Sequence, residues 1–176
     1  MKTKLILIAC LAAALPCAAR AQTTNDLVRT EVRVQSKADN KDIANSSAST
    51  KTQHETLEIQ LSGKQKSPES RVVKWFIFGR NLKSNDVTVL ASGEEKVSLD
   101  AHGQQMVETK TATTTSTPDH SVVSKSKGRG GSSGRVSVKK VEGTGVKYIG
   151  YGVQVKDGGT IVGKAFSGQS LEAEVK

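Results

Sequence analysis

Apolar and polar residues alternate with period two through most of this chain, in short runs separated by turn-forming residues. The sharpest example is residues 145–166, GVKYIGYGVQVKDGGTIVGKAF. Tyr151, Val153 and Val155 alternate with Gly150, Gly152 and Gln154, and a second run led by Ile161 and Val162 ends at Phe166. Asp157, Gly158 and Gly159 lie between the two runs. Glycine reaches the positive φ that tight hairpin turns require, so the pattern predicts a β-hairpin. A lone hairpin is marginal in water, so it must pack on more sheet.

Other runs can supply that sheet. In residues 27–34, Val28, Thr30, Val32 and Val34 share one face, and Arg29, Glu31 and Arg33 the other, which predicts a half-buried strand. Residues 37–49 are polar and turn-forming and read mostly as loop. In residues 50–61, Leu57, Ile59 and Leu61 point one way, and Glu58 and Gln60 the other. Residues 71–78, RVVKWFIF, are apolar on both faces, which predicts a central strand covered on both sides with Trp75 in the core. Residues 86–91 and 96–99 predict a second hairpin around Ser92-Gly93-Glu94-Glu95. The Thr-rich run 105–117 reads as one solvent-facing edge strand, ended by Pro118 because proline cannot donate to a ladder. Residues 124–134, SKSKGRGGSSG, read as a flexible loop, and 135–141 as a further strand. In the tail, Leu171 and Val175 are at a loose helical spacing, too short to assign.

About eight or nine short strands without a long helical period predict an all-β fold. The expected architecture is an antiparallel β-sandwich with an immunoglobulin-like or fibronectin-III-like layout. A small barrel is the alternative.

The first residues change the compartment. Met1-Lys2-Thr3-Lys4 is a basic start, residues 5–15 are apolar, and Ala19-Arg20-Ala21 presents a signal-peptidase pattern. The expectation is a cleaved signal peptide over 1–21 and a single domain over 22–176, exported to the periplasm, the cell surface or the medium. The apolar run is too short to span a bilayer, so no membrane insertion of the mature chain is expected. Both cysteines, Cys10 and Cys17, fall in this leader. That removes disulfides, thiol catalysis and cysteine-containing metal sites from the mature domain. Three of the 26 basic residues also fall there, leaving 23 against 17 acidic ones, a balance of +6.

Catalytic signatures are absent. His54, His102 and His120 show no metal-ligand spacing, so neither a metal nor another cofactor is expected. Ser132-Ser133 lacks the strand-turn-helix setting of a nucleophile elbow. Glu94 and Glu95 are adjacent, so on a strand they face opposite ways, which is wrong for two acids sharing one bond. No enzyme is expected. The local feature above background is basic: Lys125, Lys127, Arg129, Arg135, Lys139 and Lys140 fall within sixteen residues. They form a candidate patch for anionic ligands, with salt-sensitive contacts. No aromatic residue interleaves with them to stack bases, so nucleic acid is not an expected partner.

The leader, the mid-chain run VVKWFIFGRNL and the terminal YIGYGVQVKDGGTIVGKAFS resemble small exported immunoglobulin-like β-sandwich proteins of verrucomicrobia-like bacteria, a group that includes a pilus-associated member. The resemblance covers roughly residues 72–166. It implies a structural or interaction role at the cell surface, associated with a pilus-like or adhesive assembly. True pilins keep a long hydrophobic N-terminal helix, whereas this apolar run ends at an Ala-x-Ala site, which implies an accessory rather than a fibre-core role. The expected partners are envelope or pilus-like proteins, with the strand at 109–117 and the basic loop as contact surfaces. A homo-oligomer through an edge strand is a further expectation. The alternative is a module for anionic or mucin-type glycans, for which Tyr148 and Tyr151 are the free aromatic candidates.

Overall fold

The computed structural model describes residues 27–63, 70–100, 102–125 and 136–175, and the leader reading falls outside them. The chain enters as a long hairpin, β1 (Val28–Asp42) against β2 (Ser49–Gly63), in unbroken register from Val28↔Gly63 to Asp42↔Ser49. Strand β1 runs eight residues beyond the apolar alternation. Residues 37–42, expected as loop, are strand because each pairs with a residue of β2. Their side chains are exposed, so the backbone ladder, not burial, holds them. The turn is confined to residues 43–48.

Along the other side of β2 lie β5 (Gln104–Glu108) and then β6 (Ala112–Thr117). The Thr-rich run is therefore two strands. The break falls at Thr109, whose N–H donates to the Leu57 carbonyl and whose Oγ1 accepts from the Leu57 N–H. Nor is β6 a free edge: it pairs with β2 on one side and, at Ser116 and Thr117, with β9 on the other.

The second layer is β3 (Arg71–Asn81), β4 (Val87–Val97), β9 (Thr144–Asp157) and β10 (Thr160–Phe166), in the order β4-β3-β9-β10. Strand β9 starts beside β6 and then pairs with β3, which joins the layers. Strand β4 is continuous, so the expected hairpin at Ser92–Glu95 does not form. Gly93 sits in mid-strand opposite Trp75. The terminal hairpin forms as expected: Asp157 faces Thr160 across Gly158 (φ 54°) and Gly159 (φ 91°), a two-residue loop with positive φ at both positions.

The result is a nearly all-antiparallel, sandwich-like arrangement of two layers. Ten strands are described, against eight or nine expected. Leu57, Ile59 and Leu61 of β2 meet Val73, Trp75 and Ile77 of β3 and Tyr151, Val153 and Val155 of β9 in one core. Alternation along β3 puts Phe76 and Phe78 on the outer face, opposite Val73, Trp75 and Ile77. There Phe78 packs with Phe166 and with Leu171 of α1 (Gln169–Glu172), while Phe76 and Val175 lean on the same cluster. The tail that was too short to assign covers the second face of β3.

Candidate functional site

The basic segment is built on a β-ribbon that leaves the sandwich. The β6–β9 pairing ends at Thr117↔Thr144 and resumes as β7 (His120–Lys125) against β8 (Val136–Val141), with register His120↔Val141 to Lys125↔Val136. Pro118, which has no N–H, interrupts the ladder. The interruption is bridged by Gly143, whose N–H donates to Asp119 Oδ1 at 2.5 Å. His120 Nδ1 donates to the Pro118 carbonyl at 3.0 Å, and Ser124 and Ser137 pair their hydroxyls at 2.6 Å across the strands. A second support comes from the β1–β2 turn. Asn45, in the left-handed region at φ 58°, accepts the Val123 N–H on its carbonyl at 3.1 Å. Asn tolerates that conformation better than most residues.

The register sorts the side chains of the arm. Val123, Val136, Val138 and Lys140 fall on one face, and Val122, Ser137 and Lys139 on the other. Val136 and Val138 are 59% and 65% exposed, and Lys139 and Lys140 are exposed as well. Of the six basic candidates, Lys139 and Lys140 therefore stand on opposite faces of β8, and Lys125 ends β7. Lys127, Arg129 and Arg135 lie outside the described residues. The valines are the part of this surface that counting charges misses. Their signal was the period-two sequence Val136-Ser137-Val138, which reads as buried until the topology leaves it without a covering layer among the described residues.

Three other candidate regions are less suited to chemistry. Tyr151 is 4% exposed in the core and Tyr148 packs against it, so neither is the free aromatic platform that a glycan reading called for. Burial raises the hydroxyl pKa of both, and for Tyr148 the neighbouring Glu55 adds to the rise. On the outer face of β2 and β6, Thr50–Thr117, Thr56–Thr111 and His54–Thr113 make cross-strand hydrogen bonds of 2.8–2.9 Å. Such pairs fasten register and are ordinary sheet stabilisation. A shallow depression beside them, lined by Ser36, Lys37, His54 and Thr111, is too open to enclose a ligand.

Among the described residues, no group of three His, Cys, Asp or Glu is placed to hold a metal. His54 is 3.9 Å from Asp39, and His102 lies exposed in a turn. No helix among the described residues is long and apolar enough to cross a membrane.

One residue was missed. Glu55 continues the buried row of Leu57, Ile59 and Leu61 and is 1% exposed. Its Oε1 accepts from Ser36 Oγ at 2.8 Å and Gln53 Nε2 at 3.2 Å, while Oε2 has no partner. Burial raises its pKa, and Ser36, Lys51 and Gln53 pull back against that rise. The period-two row that begins at Leu61 would have found it.

No family model, curated protein or solved structure matches the chain.

Proposed function

We propose that this chain is a non-enzymatic interaction module of the cell envelope whose working part is the β7–β8 arm. The observation that carries the reading is one of charge and position. Between His120 and Val141 the sequence holds Lys125, Lys127, Arg129, Arg135, Lys139 and Lys140 and no acid, and the described parts of that stretch, β7 and β8, form a two-stranded ribbon outside the two-layer core. Over the rest of the chain the signs are interspersed. A single-sign projection attracts anionic partners and speeds their encounter. Export through the leader, the immunoglobulin-like layout and service to a pilus-like or adhesive assembly are parts of the same proposal, resting on residues 1–21 and on the resemblance.

The arm rules its own partners. Two arms of one sign repel, so a homo-oligomer through an edge strand would use an edge other than β8. Anionic glycans are the second reading, favoured by the same charges but without an aromatic platform. The expected result is that Lys139→Glu with Lys140→Glu lowers the salt concentration at which the protein leaves a heparin column, while the melting temperature stays within a degree or two, since exposed substitutions rarely alter stability by more than about 0.5 kcal/mol. Unchanged elution would refute a working role for the arm.

A further inference from the structure

The hydrogen bond that fastens β7 to the β1–β2 turn also reveals which way the backbone of β8 points. Val123 donates its N–H to the Asn45 carbonyl at 3.1 Å, away from β8. In an antiparallel ladder, a residue whose N–H points away from its partner strand belongs to a non-hydrogen-bonded pair, and the residue opposite points outward too. The residue opposite Val123 is Val138. Val138 therefore turns its N–H and C=O to the far side of β8, while Ser137 and Lys139 bond back to β7. Among the described residues no strand pairs with that far side.

An open edge is a template for another chain, and proteins usually blunt it with charged side chains, lysine above all, with prolines or with short length. The distal half of β1 is blunted in this way, with Lys37, Asp39 and Lys41 alternating in sign. Strand β8 carries lysines as well, Lys140 beyond two exposed valines on one face and Lys139 on the other, but from Val136 to Val138 its edge is uncharged. Its charges all have one sign.

We infer that the β8 edge takes up an extended acidic polypeptide segment as an added strand, with apolar residues beside Val136 and Val138 and carboxylates beside Lys139 and Lys140. The inference rests on the arm being the working part, and it names the partner's chemistry. Affinity comes from main-chain hydrogen bonds to the Val138 peptide unit, and selectivity from the alternation. A polysaccharide lacks a regular row of N–H and C=O groups to match that edge. A second copy of the arm brings the wrong charge.

The probe is a blocked peptide of alternating Glu and Val, with an N-methylated version that cannot donate along one edge. Binding to the whole protein is followed by fluorescence anisotropy, with heparin retention measured in parallel. The N-methylated peptide is expected to bind about tenfold more weakly, the equivalent of one or two hydrogen bonds. Val138→Pro should cause a similar loss, because it removes an outward N–H without touching the β7–β8 ladder. Its heparin retention should not change, which shows that the arm is still formed. Lys139→Pro removes an inward N–H and should disturb both readouts. If N-methylation leaves peptide affinity unchanged while heparin binding still follows arm charge, the edge inference is overturned and the arm reading stands. If neither peptide nor heparin responds to Lys139→Glu with Lys140→Glu, both are overturned.

Discussion

Trp75→Ala should destabilise the protein by about 3–5 kcal/mol, the range for emptying a large buried aromatic site. Trp75 is 5% exposed and lies at the middle of β3, between β4 and β9, in the row of Val73 and Ile77. Its indole covers Gly93 of β4 so closely that a Cβ at Gly93 would fall on the ring. The two residues are thus one packing unit, and the glycine is there for the indole rather than for a turn. Gly93→Ala should cost about 1–3 kcal/mol by overpacking. In a Trp75→Leu background that cost should nearly vanish, because the smaller side chain vacates the ring's space. Urea unfolding of the four proteins in this double-mutant cycle gives the coupling directly. Additive effects would contradict the contact. Much of a domain's usual margin of 5–15 kcal/mol then hangs on this one crossing.

The same crossing shows where the sequence was legible. Period two placed Val73, Trp75 and Ile77 together, and Tyr151, Val153 and Val155 together, because both sets face one core and each strand keeps its register. The Asp157-Gly158-Gly159 turn was legible because two adjacent positive φ values leave little choice but glycine. Gly93 was misread because a glycine marking a close approach and a glycine marking a turn look alike without the partner strand. Residues 37–42 were misread because their ladder is satisfied by β2, and polar side chains give no sign of it. The arm was half legible. Its charges are local in sequence, but its exposed valines become a surface only because none of the described layers covers β7 and β8. The direction of the Val138 peptide was not legible at all, since it depends on Asn45, far away in the chain.

Glu55 should make the protein less stable as pH rises from acid to neutral, and Glu55→Gln should remove that slope. Burial dominates the raised pKa of this carboxyl, so the folded state holds the proton at pH values where the unfolded chain has released it. Stability falls with pH wherever the folded state binds more protons than the unfolded one. The window therefore opens near the ordinary carboxylate value of 4.5 and closes above the raised folded value. Below it both states are protonated and Glu55 imposes no penalty. Above it the ionised carboxylate sits beside Tyr148, with Lys51 as a basic counterweight and Oε2 without a hydrogen-bond partner among the described residues. Other carboxyls pull in the opposite direction: Glu94 and Asp100 have lowered values and lose their favourable interactions in acid. Only the difference between wild type and Glu55→Gln isolates the buried group. At neutral pH the variant should be the more stable, because ionising the buried carboxyl costs the folded wild type and has no counterpart in the amide. At pH 4 it should show no advantage, because the wild-type side chain is then neutral as well. Thermal melts of both proteins at several pH values decide it, and parallel curves would mean that Glu55 does not titrate in this window.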